Sequence, residues 1–237
     1  MMKFQKQLAL AGLGLAGSAM MLSANAAVVN PTVEAVIQNG SDVDNNETES
    51  YIFVKNGNDT NSRKSYMQFD LTGQNADLSQ GATLRWFLQS VGSDKDHNVQ
   101  IWALDQAYTG LTNAATWNNG QANDTSSTAD FLTDPATTGF TATKVGGVIS
   151  IDATSIGQEV SVDIAALAPF VFDNKITFAF GGADAALGTV ANANGGHRIL
   201  NKDSESPAQL DFSVVPEPSS LALLGLGGLL LARRRRA

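Results

Sequence analysis

The sequence predicts an all-β fold, an antiparallel β-sandwich, on three observations. Short segments alternate apolar and polar residues, as strands with one buried face do. Clusters of Gly, Asn, Asp and Ser separate these segments and supply turn conformations, as in Asn56-Gly57-Asn58-Asp59. Helix signals are scarce, because only 164–172 has room for a turn or two and Pro169 interrupts it. About ten short strands of this kind are typical of a sandwich.

The individual strands follow from the same alternation. Every second residue of 65–71 is apolar, which predicts a half-buried strand. In 83–89, Trp86 shares a face with Leu84 and Leu88, so the pattern favours core packing for this indole. The weakly patterned stretch 120–146 is predicted to be a long loop. The remaining predicted strands cover, in chain order, 35–38, 51–55, 99–104, 148–151, 160–164, 176–180, 198–201 and 210–214.

The N-terminus carries the pattern of a secretory signal peptide. Lys3 and Lys6 precede the apolar segment 8–22, and Ala24-Asn25-Ala26 supplies the small residues of a cleavage site. We therefore expect signal peptidase to remove residues 1–26, so that the mature chain begins at Ala27. One sandwich domain then spans residues 27–214.

The C-terminus combines a short motif, an apolar segment and a basic end. Pro216, Glu217 and Pro218 lead into the apolar run 221–231, which four arginines follow: Arg233, Arg234, Arg235 and Arg236. A helix of about eleven residues is roughly 17 Å long, well short of the ~30 Å hydrocarbon core of a bilayer. The run is therefore predicted to be a short hydrophobic helix that holds the chain only transiently. The arginines would stay on the cytoplasmic side.

This order of parts, over residues 215–237, resembles the PEP-CTERM sorting signals of Gram-negative bacteria. The resemblance implies recognition by an exosortase-type membrane protease and removal of the tail near Pro-Glu-Pro. It also implies transient attachment to the inner membrane, then delivery to the cell surface or an exopolysaccharide matrix. The alternative is a tail that remains as an unprocessed membrane anchor.

The mature domain is strongly acidic. The full chain has a net charge of -8, but from Ala27 to Pro218 there are 9 Lys and Arg against 23 Asp and Glu, a net charge of -14. Such a surface argues against nucleic acid and anionic membranes as partners, because phosphates need basic patches. Acidic polysaccharides stay open as ligands through local basic clusters or bridging calcium. The absence of cysteine excludes disulfides, thiolate nucleophiles and Cys-based metal sites.

Several segments form a family pattern along nearly the whole mature chain. They are 36–40, 51–55, 63–71, 82–87, 99–104, 115–119, 162–164, 197–199 and 202–210. In order and spacing they resemble a DNRLRE-type domain, a β-sandwich similar to carbohydrate-binding modules. The resemblance implies a jelly-roll fold and a capacity to bind glycans, and it implies no catalytic chemistry.

Catalytic motifs are missing from the sequence. It contains no HExxH, GxSxG or P-loop pattern, and His97 and His197 lack the spacing of metal ligands. We therefore expect no enzyme activity, and a loop or structural role for both histidines. Two alternatives stay open: a polysaccharide-degrading enzyme that uses paired carboxylates, and a purely structural surface protein.

Aromatic and basic residues supply the candidate glycan contacts. An indole or phenol ring can pack against a sugar, which nominates Trp102, Trp117 and Tyr108, although a buried indole is at least as common an outcome. Guanidinium and ammonium groups can meet the carboxylates of an acidic glycan. They nominate Arg63, Lys64 and Arg85, with ordinary surface ion pairing as the alternative.

Calcium is the one cofactor that the sequence suggests. Asp42, Asp44 and Asn46 place oxygen ligands at alternate positions between the first two predicted strands, and Ca²⁺ accepts six to eight such oxygens. Their spacing does not match an EF-hand. A structural calcium site and an Asx-rich surface loop are both compatible with this pattern.

Overall fold

The computed structural model describes residues 25–39, 51–55, 62–91, 97–105, 118, 120, 122–124, 141–183 and 196–215. Nearly all of these residues lie in antiparallel strands, which confirms the predicted fold class. The predicted C-terminal helix and residues 1–24 lie outside the described ranges. Two single-turn 3₁₀ helices, Ala153–Ser155 and Ala168–Phe170, are the helical elements within them.

Twelve strands make up the described fold. They are β1 (Asn25–Val29), β2 (Pro31–Gln38), β3 (Tyr51–Lys55), β4 (Arg63–Asp70), β5 (Ala82–Val91), β6 (His97–Leu104), β7 (Ala142–Ile151), β8 (Glu159–Ile164), β9 (Val171–Phe172), β10 (Lys175–Gly182), β11 (Gly196–Leu200) and β12 (Gln209–Val214).

The strands form two layers of one curled sheet. The first layer has the order β2-β4-β10-β6-β7, with β9 paired to the start of β10. The second is built around β5, which pairs with β8, with β12 through its first half and with β11 through its second. β1 extends the second layer beside β12, and β3 extends it beside β11. The layers join where Lys55 of β3 pairs with Arg63 of β4.

A single large core fills the space between the layers. The Trp86 ring of β5 meets the Phe180 ring of β10 edge to face, with 5.5 Å between centroids. Phe69 and Phe178 make a second edge-to-face pair at 5.9 Å within the first layer. Such pairs contribute roughly 0.5–1.5 kcal/mol beyond the apolar area that they bury. The predicted core position of Trp86 is confirmed, since its side chain is fully buried.

The first layer is buried on its outer face as well. A second apolar cluster there includes Tyr66, Trp102 and Ala122. Tyr66 is 1% exposed and Gln68 3%, so the prediction that this strand is half-buried was wrong. The reason is tertiary: backbone that follows β6 in sequence, including Ala122, returns to pack on this face.

Strand limits also differ from the predictions. β7 begins at Ala142 rather than 148, because the glycines at 146 and 147 hide its alternation. β1 was not predicted, since residue 25 falls inside the cleavage-site pattern. In 164–172, the expected turn or two is the 3₁₀ turn at 168–170, and β9 follows it directly.

Candidate carbohydrate-binding surface

Three cationic side chains come together on the outer face of β3 and its neighbours. Along β3, Ile52 and Val54 point into the core, so Phe53 and Lys55 point outward. Register places Arg198 of β11 opposite Phe53, and Arg63 of β4 opposite Lys55. Because paired antiparallel residues share a face, these four side chains form one surface. We call Phe53, Lys55, Arg63 and Arg198 the cationic patch.

The Phe53 ring organises the two arginines. The Arg63 guanidinium carbon lies 4.9 Å from the ring centroid, and that of Arg198 lies 5.8 Å from it. Both distances fall within cation–π range, worth about 0.5–1 kcal/mol at an exposed site. Arg63 is further held by its Nε, which donates a hydrogen bond to Gln38 Oε1 at 2.7 Å. The ring therefore helps to keep two guanidinium groups close together.

Electrostatics within the patch favour an anion. Partial burial, and then the positive charge of Arg63, lower the pKa of Lys55 below its ordinary value. The smaller of these two causes, repulsion from Arg63, shows that the two cations lie close together, and an approaching carboxylate would relieve that repulsion. Guanidinium groups bind carboxylates through two parallel N–H···O bonds. The patch can therefore bind acidic groups even though the mature domain is acidic as a whole.

Lys64, the neighbour of Arg63, lies on the opposite side of the strand. It is 0% exposed, and its Nζ donates to Asn123 Oδ1 at 2.7 Å and to the Asp124 carbonyl at 3.2 Å. This interior position differs from the surface position that the sequence predicted. Successive residues of a strand point to opposite faces, so Arg63 and Lys64 cannot serve one surface. Lys64 instead holds the 122–124 backbone against the first layer.

Arg85 makes ion pairs with its cross-strand neighbours. Its guanidinium lies 3.8 Å from a carboxylate oxygen of Glu159 and 3.5 Å from one of Asp211. These contacts match the alternative of surface ion pairing. Partly exposed pairs of this kind stabilise a fold by at most about 1 kcal/mol.

Trp102 is only 2% exposed, and the Lys144 ammonium lies 4.7 Å from its ring centroid. Of the two alternatives left open for this indole, the structure thus shows the buried one. His197 is buried in β11, where it faces away from the cationic patch. Trp117, Tyr108, Asp42, Asp44 and Asn46 lie outside the described residues, and their roles stay predictions.

A shallow hollow of about 350 Å³ lies on the outer face of the second layer. Its acidic lining residues, Asp163 and Asp211, flank Thr83 in register across three strands. Thr83 Oγ1 donates to Asp163 Oδ1 at 2.7 Å, while Asp211 pairs with Arg85. These two carboxylates therefore lie on one face of the second layer.

The terminal signals are only partly covered by the structure. Ala26 and Ala27 lie in β1, whereas Ala24, the Pro-Glu-Pro motif and the four C-terminal arginines lie outside the described ranges. In the part that is described, no helix has the length and apolar character to cross a membrane. In the same part, no cluster of three or more His, Cys, Asp or Glu residues is arranged to hold a metal ion.

Three members of the patch were missed by sequence reasoning: Phe53, Lys55 and Arg198. The local signals are the charges of Lys55 and Arg198, with Phe53 sharing a strand face with Lys55 because it lies two residues before it. Nothing local indicates that β3 pairs with β11, so their meeting could not be predicted.

Comparison with known families agrees with this architecture. The PEP-CTERM protein-sorting motif matches residues 214–236, so the chain is exported, processed by an exosortase and sorted to the cell surface. No curated protein matches the chain. Carbohydrate-binding module family 96 matches residues 25–167, more than half of the chain and most of the described sandwich. The chain therefore belongs to carbohydrate-binding module family 96.

Proposed function

We propose that this protein is a non-enzymatic binder of acidic polysaccharide at the surface, or in the extracellular matrix, of a Gram-negative bacterium. Family membership supports carbohydrate as the ligand, and the sorting motif supports the location. The observation that carries the acidic specificity is the convergence of Arg63 and Arg198 on the Phe53 ring beside Lys55.

The geometry favours recognition by charge and hydrogen bonds over stacking of a sugar on an aromatic ring. Both guanidinium groups lie within 5.8 Å of the Phe53 centroid, so they occupy space above the ring that a pyranose would need. Guanidinium groups also pair well with the carboxylates of uronate sugars. Binding through exposed charges should weaken as ionic strength rises above about 0.1 M, where the Debye length falls below ~10 Å.

Glycan retention on a polysaccharide array tests the proposal with the mature protein. We expect Arg198→Gln to weaken retention on acidic glycans roughly fivefold, the upper range for one exposed ion pair. Neutral glycans should show no such change. The matched control is Lys175→Gln, which removes one positive charge from β10, far along the sheet from the patch, and should leave retention unchanged. Equal losses for both variants would show that net charge, rather than the patch, governs binding.

The same array separates the other functions. Reducing ends or unsaturated products would refute the non-enzymatic proposal and turn attention to Asp163 and Asp211. Absence of retention on every glycan would favour a purely structural surface protein. If only neutral glycans are retained and Arg198→Gln does not change this, the protein still binds carbohydrate, but the cationic patch is not its binding site.

A further inference from the structure

The predicted signal-peptide cut falls inside a strand of the folded domain. β1 pairs with β12 so that Asn25 lies opposite Val214 and Ala26 opposite Ser213. Hydrolysis after Ala26 consumes one water and leaves a carboxylate on Ala26 and an ammonium group on the new N-terminus. The cut therefore removes the β1 partners of the last two residues of β12. The pairs of 27–29 with 210–212 remain.

The other edge of β12 shows which backbone groups lose a partner. The Val215 amide donates to the Asn75 carbonyl at 2.8 Å, and the Asp77 amide donates to the Ser213 carbonyl at 2.8 Å. Backbone groups of successive strand residues point to alternate edges, so the N–H and C=O of Val214 point towards β1. Removal of residue 25 leaves this donor and this acceptor at an open strand edge.

This open edge lies next to the sorting motif. Val214 precedes Pro216 by two residues, and the intervening Val215 is 51% exposed. Pro216 and Pro218 have no backbone N–H, so the motif itself offers only the Glu217 amide for pairing. Extended peptides are commonly recognised through pairing of their backbone with an exposed strand edge. Val214 supplies a backbone donor, which the two prolines lack, together with its own carbonyl acceptor.

We infer that removal of the signal peptide opens a docking edge at Val214 for the exosortase-type protease, so that N-terminal processing precedes removal of the tail. The precursor keeps this edge covered by residues 25 and 26. The inference rests on the predicted cut after Ala26 and is independent of glycan binding.

A shifted cleavage site gives the experiment a matched pair of chains. Met21→Ala, Ser23→Ala and Ala26→Leu together move the small residues of the site to 21 and 23, so the mature chain starts at Ala24 and keeps Asn25. A second chain adds Asn25→Pro, which removes the donor to Val214 at the same chain length. N-terminal sequencing verifies each start. A wild-type start upstream of residue 26 would overturn the inference.

Tail removal is followed by pulse-chase in a host that contains an exosortase-type protease. The extended chain should lose its tail roughly 5- to 150-fold more slowly than wild type, the range expected from two backbone hydrogen bonds. The chain with Asn25→Pro keeps the bond from the Val214 amide to the carbonyl of residue 25, so its rate should lie between those of the other two chains. Equal rates for wild type and the extended chain would overturn the inference. Equal slowing of both extended chains would also overturn it, because length rather than pairing would then be the cause.

Hydrogen exchange provides a readout without the protease. In the wild-type mature protein the Val214 amide should exchange roughly 2- to 12-fold faster than in the extended chain. The Val215 amide, bonded to Asn75, should exchange equally in both. An unchanged Val214 rate would overturn the inference.

Discussion

The substitution Gly146→Ala tests how closely β7 of the first layer packs against β8 of the second layer. Gly146 has φ +65°, and a Cβ on it would overlap Cγ2 of Val162. The left-handed backbone costs an alanine about 1–2 kcal/mol. Forcing an extra methyl group into a packed core costs about 1–3 kcal/mol more. We therefore expect a total loss of roughly 2–5 kcal/mol in the free energy of unfolding.

Two further variants separate these contributions. Gly147→Ala is the matched control, because no atom lies within 4 Å of its added Cβ and its φ is not positive. It should change stability by at most about 0.5 kcal/mol. Val162→Ala removes the overlapping methyl group and by itself should cost about 1–3 kcal/mol. In the double variant with Gly146→Ala, the overlap disappears, so a favourable coupling energy of about 1–3 kcal/mol is expected.

Urea unfolding of the mature protein measures all four species, with fluorescence of the buried Trp86 and Trp102 as the signal. In a thermal scan the same loss would lower Tm by roughly 2–4 °C per kcal/mol. If Gly146→Ala is as stable as Gly147→Ala, then Gly146 does not have a positive φ and does not lie close to Val162 in solution. Additive effects of Gly146→Ala and Val162→Ala would refute the β7–β8 contact.

Three other predictions concern a buried cation, a surface carboxylate and the calcium hypothesis. Lys64→Met should lower the free energy of unfolding by about 1–3 kcal/mol, because it removes the buried hydrogen bonds to Asn123 and Asp124, and urea unfolding measures this loss. Hydrogen bonds from Thr72 hold the pKa of Asp70 below its ordinary value, so its contribution is present above that value and lost as pH falls through the lowered pKa. Asp70→Asn should therefore reduce the acid sensitivity of unfolding below about pH 4. Calcium should raise Tm of the wild type, and Asp42→Asn with Asp44→Asn should abolish this rise.

Each of these has a contradicting result. If Lys64→Met matches the partly exposed control Lys175→Met, Lys64 does not hold the 122–124 backbone. If Asp70→Asn leaves the acid limb of the stability curve unchanged, the Thr72 hydrogen bonds do not form in solution. An equal Tm in calcium and EDTA would remove the calcium proposal.

Much of the fold could be predicted because strand alternation is local. Trp86 was correctly predicted to lie in the core, since residues two positions away on either side are apolar. Burial on the second face of β4 could not be predicted, because the cluster that covers Tyr66 includes residues far away in sequence, such as Trp102 and Ala122. The same limit applied to Arg63 and Lys64, adjacent in sequence yet separated by the sheet.

The sequence by itself determined the class of fold, the acidic net charge and the C-terminal sorting motif, because each depends on composition or on neighbouring residues. Only the tertiary structure decided which outward side chains meet. Arg63 and Arg198 converge on Phe53 because long-range strand pairing and its register bring them there. Pairing of β1 with β12 likewise brings Asn25 and Ala26 opposite Val214 and Ser213, because hydrogen bonding across a sheet does not depend on separation along the chain.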